Sequence, residues 1–480
     1  MRFKKILVKK INWPADYALI FILTLAYYGW LQFNNYSQYI GDPDGFYHAK
    51  IALFLREGVL LKSLPWMQFS TLRDNFTDHH LLYHLLLTPF TYWGDPLTGV
   101  KIASVFFTAS MITVFYWLLK KLNTIWPFAF ALMFITLNGL NFRLGLIKAN
   151  SLSLLLIWLL IYAVHRQKTW LLILLGFLFV WTYGGWPLAM FILLIYIITN
   201  KLYNRLHTNR LKIFWHKTIH IFKHGKQISR NLALVIYLAA GLALGLIINP
   251  YWPHNIYFYY QQIFQIGVVN MGSQFVVGAE WYGTTLFHII SASPHIFIIA
   301  ALSFLILFFN YNKVRKITLF SFIMTFIFII LNIKSRRYIE YSLPFMLLFT
   351  ACAISDLKNI ISWKKTKQYW ATTPRYIKIY LSVVLLVFAV VVMPKIYERI
   401  LNVNMPRHWA MDTFQPALEW LGENTPENSL VMHNDWDQWP LLFYHNDHNY
   451  YFIGLDPTFM YNFDKEKHKS FTDLTTDKIE

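Results

Sequence analysis

Apolar runs recur along most of this chain at close to the length a helix needs to cross the hydrocarbon of a bilayer, about 20 residues. They fall near 17–33, 102–119, 125–141, 151–164, 169–183, 186–199, 231–249, 286–309, 317–333, 341–355 and 379–393, which predicts eleven spans, the fourth to sixth of them short. Composition agrees: 56% of the residues are hydrophobic and 14% are charged, far from the balance of a water-soluble domain. The start MRFKKILVKK is basic, but the run after it lacks a small-residue cleavage site, so the first span is expected to be retained. The single cysteine, Cys352, lies in an apolar run, which excludes a disulfide framework.

Lys and Arg gather near the cytoplasmic ends of spans, and this rule orients the bundle. With the N-terminus inside, well over half of the 43 Lys and Arg fall in segments placed inside, while all 24 Asp and Glu except Asp16 and Asp356 fall outside. The net charge of +19 is therefore a signal of topology and of contact with membrane lipids, and nucleic acid is not needed to explain it. These patterns predict a multi-pass protein of the plasma (inner) membrane with a cytoplasmic N-terminus. Its fold class is an all-α polytopic membrane bundle of about eleven transmembrane helices over 1–393, with a first outer loop at 34–96. A small mixed α/β extracytoplasmic module follows over 394–480, and DLTTDKIE breaks off in mid-pattern, which leaves its boundary open.

The first outer loop opens with GDPDGFYHAKIALFLREG. Asp42 before Pro43 suits a helix start and Asp44 suits the helix dipole. The same two carboxylates, with Tyr47 and His48 behind them, are also placed to act as a general base or metal ligand. Phe46, Ile51, Phe54 and Leu55 space as one apolar face of a helix lying along the membrane surface. Later in the loop, TDHHLLYHLLLTPF sets His80 and His84 four apart, as a metal pair or as interfacial histidines, with Asp78 and His79 as polar groups before the apolar run.

The acid, one residue, two aromatics and His of Asp44 to His48 resemble the first loop of oligosaccharyltransferase catalytic subunits, single-subunit membrane enzymes of the GT-C superfamily. That resemblance implies a GT-C-like fold, a polyprenyl-(di)phosphate sugar donor and catalysis by Asp44, with Asp42 second. It implies a divalent cation, Mn or Mg, held by Asp44 and Glu280. Arg143 with Gly145, in NGLNFRLGLIKANSLSLL, is similar to the Arg and Gly that precede the family's second acidic motif. Where the family has an acid pair, this chain has Lys148, Ala149 and Asn150, which puts the metal in doubt and offers Lys148 as a fixed cation for donor phosphate or as a lysine snorkelling at a helix end.

Glu280, in VVGAEWYG, is a lone carboxylate in an aromatic segment and resembles the family's acceptor- or metal-holding Glu. Arg336 and Arg337, in KSRRYIEYSLPF, resemble the family's arginines that face lipid pyrophosphate, the alternative being an interfacial anchor. EWLGENTPENSLVMHNDWDQWP resembles the stretch leading to a Trp-Trp-Asp acceptor motif, of which Trp436 and Asp437 keep one Trp-Asp pair. His48, Asp78, His79, Arg143, Lys148, Glu280, Arg336, Arg337, Trp436 and Asp437 are thus expected to bind substrate. The expected partners are a polyprenyl-linked sugar donor and a protein or glycolipid acceptor. A transferase acting on a lipid or polysaccharide, a transporter and a non-catalytic component of a glycan pathway are the alternatives.

Overall fold

The computed structural model describes residues 13–34, 38–207, 217–360, 371–379, 383 and 409–476. The chain enters on α1 (Trp13–Phe33), forms the short strand β1 (Tyr39–Ile40), and runs into α2 (Asp44–Arg56) and α3 (Leu81–Leu87). It then folds through α4 (Pro96–Lys121), α5 (Pro127–Leu132), α6 (Asn138–Gly145), α7 (Asn150–His165), α8 (Thr169–Thr182), α9 (Pro187–His207) and α10 (Lys217–Ile247). After α11 (Asn255–Tyr259), which widens into a π-helical stretch at Tyr260–Val269, come α12 (Leu286–Ala292), α13 (Pro294–Phe309), α14 (Lys316–Lys334) and α15 (Ile339–Ile360).

Five helical stretches among the described residues are long and apolar enough to cross a membrane, or up to seven if each of two bent pairs is one span. The first ten expected spans each correspond to a helix or a bent pair; the eleventh, near 379–393, lies almost wholly outside the described residues. The bends are the main departure from the sequence expectation. The run at 125–141 breaks by 80° between Thr136 and Asn138, and the run at 286–309 breaks by 105° ahead of Pro294, whose ring cannot continue the preceding helix. The first break makes NGLNFRLG a helix of its own, α6, which takes in the end of the expected third span and the residues after it. Gly139 lets α6 lie against α15, since a Cβ there would come 2.6 Å from Ile339 Cδ1.

Three helices start on Asp-Pro, and each shows the reason. Asp95 accepts from the Thr98 amide at 2.8 Å and Asp456 from the Thr458 amide at 2.8 Å, while Asp42 accepts from the Asp44 amide at 3.0 Å. Each carboxylate answers an otherwise unpaired amide of the first turn, and proline removes another.

Residues 409–476 are mostly helical: α16 (Gln415–Asn424), α17 (Trp439–His445), α18 (Pro457–Phe463) and α19 (Lys465–Thr475). The expected strands shrink to β3 (Leu430–Val431) and β4 (Tyr450–Tyr451), paired in parallel, while β2 (Trp409–Ala410) pairs antiparallel with β1. This region packs on the first loop. Trp66 Nε1 donates to the Asp447 carbonyl at 2.7 Å, Lys50 pairs with the Asp447 carboxylate at 3.0 Å, and Trp439, wholly buried, stacks on Phe443.

Small residues let α8 and α10 meet backbone to backbone: a Cβ on Gly241 would fall 2.3 Å from the Ile173 carbonyl oxygen. Gly241→Leu is therefore expected to cost about 1–3 kcal/mol through overpacking, read as a lowered thermal midpoint in detergent. An unchanged midpoint would contradict this packing.

Candidate active site

A cavity of about 650 Å³ opens where α2, α6, the turn at 279–281, the start of α15 and the turn before α17 converge. Asp42 and Asp44 enter from the first helix turn after α1. Lys148, from the segment between α6 and α7, places its ammonium 3.0 Å from Asp42 Oδ2 and 2.8 Å from Asp44 Oδ2. Asp42 thus has two roles: Oδ1 caps α2 and Oδ2 faces the lysine. Burial alone would lower the Lys148 pKa, but Asp42, Asp44 and Glu280 outweigh it and hold the ammonium above the usual lysine range. Burial and Asp44 push the Asp42 carboxyl upward against the pull of Lys148.

A second cluster closes the other wall. Arg143 Nη1 donates to Glu280 Oε2 at 2.5 Å and its Nε to Glu340 Oε1 at 2.5 Å. Arg337 reaches Glu280 Oε1 at 3.1 Å and lies over the Trp281 ring at 4.9 Å. Asn150 donates to Glu340 at 2.9 Å. Burial would raise the Glu280 pKa, yet Arg143, Lys148 and Arg337 together hold it below the usual carboxylate range. Arg336 is exposed at the rim, its Nε on the Gly283 carbonyl at 3.3 Å.

Of the residues expected from sequence, Asp42, Asp44, His48, His79, Arg143, Lys148, Glu280, Arg336, Arg337, Trp436 and Asp437 all line this one cavity. Asp78 does not. It is buried behind the wall, where its Oδ2 pairs with His84 Nδ1 at 2.7 Å, and His84 Nε2 lies 2.7 Å from His48 Nδ1. His80 Nδ1 donates to the Thr182 carbonyl at 2.9 Å, so His80 and His84 do not form the metal pair that their spacing allowed. Burial holds the His80 imidazole down at about 4 and His79 well below the usual range, so both are neutral at pH 7.

The donors also test the divalent cation. Asp44 faces Lys148, Glu280 faces two arginines, and no group of three or more His, Cys, Asp or Glu placed to hold a metal occurs among the described residues. These residues do not compose a divalent-cation site as they stand.

Two acids escaped the sequence reading. Glu340 carries a signal, a carboxylate at the mouth of an apolar span beside two arginines, which calls for a buried partner. Asp456 stands in the Asp-Pro of GLDPTF, and burial pushes it up to about 6 at the cavity wall.

No family model and no curated protein matches the sequence. Solved structures do match. The crystal structure of the Archaeoglobus fulgidus oligosaccharyltransferase in its apo form aligns with a TM-score of 0.62 at 11% identity, covering 98% of this chain and 69% of that one. The chain has the oligosaccharyltransferase fold. The same organism's enzyme tethered to an acceptor peptide containing the NVT sequon aligns at 0.60 and 12% identity, covering 96% of this chain and 68% of that one. AglB from Archaeoglobus fulgidus, in complex with an inhibitory peptide and a dolichol-phosphate, aligns at 0.62 and 13% identity, covering all of this chain and 69% of that one. Set on this oligosaccharyltransferase fold, the DWDQW stretch divides by burial: Trp439 is core, while Trp436 and Asp437 face the cavity.

Burial, reinforced by Asp44, Asp42 and Asp435, pushes the Asp437 carboxyl up to about 8. It is therefore protonated and a hydrogen-bond donor at neutral pH, and ionised above about 8. Infrared spectra are expected to show a protonated-carboxyl C=O band that titrates away near that pH and is missing from Asp437→Asn. Identical spectra for the two proteins across the range would contradict this.

Proposed function

We propose that this protein is a membrane glycosyltransferase that moves a sugar or oligosaccharide from a polyprenyl-(di)phosphate to a protein acceptor on the extracytoplasmic face. The observation that carries the reading is the meeting of Asp44, Lys148, Glu280, Arg336 and Arg337 in one cavity of an apolar helical bundle. The fold adds support, since two of the similar structures hold an acceptor peptide or a dolichol-phosphate with a peptide.

In this reading the donor's phosphate meets Lys148, Arg336 and Arg337. Arginine suits it through paired donors and lysine as a point charge. The acceptor enters beside Trp436 and Asp437, and Asp44 orients its nucleophilic atom and takes its proton. The bond from sugar C1 to the phosphate oxygen breaks, a bond from C1 to the acceptor atom forms, and the electron pair leaves on the phosphate, where the cations stabilise it. Arg143 holds Glu280 and Glu340 in place behind this arrangement.

The test is turnover of a polyprenyl-diphosphate-linked sugar by the purified chain, with acceptors offered as an Asn-sequon peptide, a hydroxyl peptide or a glycolipid. Transfer to peptide is expected. Asp44→Asn should lower turnover by roughly 100-fold or more, the scale of losing a general base, with an unchanged thermal midpoint. Full activity in that variant would remove Asp44 from the mechanism. Transfer to the glycolipid alone would move the protein to the class that acts on lipid acceptors.

A further inference from the structure

The lysine between the two first-loop carboxylates has a consequence for cofactor use. We infer that the Lys148 ammonium is the resident cation of this cavity, occupying the place of a divalent metal against Asp42 and Asp44, so that transfer proceeds without a divalent ion. The inference rests on the reading of the cavity as a glycosyl-transfer site and deepens it.

The geometry comes first. One ammonium sits within 3.0 Å of a carboxylate oxygen from each of Asp42 and Asp44, and its side chain is only 13% exposed. An ammonium carries three N–H donors. Two meet these carboxylates, which leaves the third for a phosphate oxygen in the cavity. The position is built rather than incidental: Lys148 lies three residues past the end of α6, whose Arg143 is fixed by Glu280 and Glu340, and its own amide donates to the Leu146 carbonyl at 2.9 Å.

Charge comes second. Each ion-paired cation here already faces carboxylate: Lys148 meets Asp42 and Asp44, Arg143 meets Glu280 and Glu340, and Arg337 meets Glu280, while Arg336 stands exposed at the rim. One oxygen of each of Asp42 and Asp44 is thus already taken by the ammonium. A divalent cation entering at Asp44 would meet the lysine at contact distance and Arg143 and Arg337 around Glu280, and would first have to displace the ammonium. An incoming phosphate, by contrast, can accept the third ammonium hydrogen and meet the exposed Arg336 at the rim.

Chemistry comes third. In the proposed transfer the electron pair of the C1–O bond leaves on phosphate, and the cation required there needs only fixed positive charge and a donor hydrogen. A lysine supplies both without a coordination sphere.

The test uses the full chain in nanodiscs. Mn²⁺ binding is followed by electron paramagnetic resonance, which needs neither turnover nor a substrate, and transfer from the polyprenyl-linked donor is followed separately. Wild type is expected to bind no Mn²⁺ that Asp44→Asn abolishes, and its turnover should survive EDTA within about twofold. Lys148→Asp, which adds a carboxylate where the ammonium stood, is expected to gain a bound Mn²⁺ that Asp44→Asn then removes. Lys148→Met should lose roughly 100-fold or more of turnover, the scale of losing a preorganised charge, and not regain it with Mn²⁺.

A wild-type Mn²⁺ site that depends on Asp44, turnover lost in EDTA and restored by Mn²⁺, or a folded Lys148→Asp that binds no Mn²⁺ would each overturn the inference. Should wild type turn over no lipid-linked donor at all, the transferase reading fails by itself, and the Mn²⁺ spectra still decide whether Lys148 holds the cation's place.

Discussion

Four segments far apart in sequence are tied together by charges that none of them could bury alone. The entry to α2 supplies Asp42 and Asp44, α6 and the residues just after it supply Arg143 and Lys148, the 279–281 turn supplies Glu280, and the 3-10 turn leading into α15 with that helix's first turn supplies Arg337 and Glu340. Removing one partner from the most buried of these pairs, Arg143 with Glu340, leaves an uncompensated charge, at a cost of about 3–5 kcal/mol. That pair therefore holds α6 and α15 together behind the cavity. That constraint fixes the approach of the bent helices and makes the site a preformed one, with its cations already in place for an anionic ligand.

Much of the fold could be read because its signals are local. Each of the first ten apolar runs falls on a helix or a bent pair, and Asp-Pro announces three helix starts. What could not be read is where a run bends. The break before α6 is set by packing on α15 and by the charges that Arg143 must reach, neither of which is a property of residues 125–141. The C-terminal region was equally opaque: its strands are two residues long, and its Trp439 core is shared with Trp66 and Phe54 of the first loop. Hydrophobic alternation says nothing about such a shared core.

The site was legible in its parts and hidden in its pairings. Residue type and neighbourhood singled out Asp44, Glu280, Arg337 and Lys148, and the cavity gathers them. Which carboxylate meets which cation depends on side-chain reach across the bundle. Thus Asp42 and Asp44 meet Lys148, Glu280 takes two arginines, and Asp78 turns away to hold His84 and, through it, His48. Glu340 carried a signal that was passed over: a carboxylate at the mouth of an apolar span, beside two arginines, calls for a buried partner.

The central claim is that these cations grip the phosphate of a lipid-linked sugar. A structure of the protein in nanodiscs with a polyprenyl-phosphate sugar donor tests it most directly. The account predicts the phosphate in the cavity, within hydrogen-bond distance of Lys148 and Arg337. A donor phosphate bound elsewhere on the protein, with those two side chains still turned to Asp44 and Glu280 and away from it, would contradict the account.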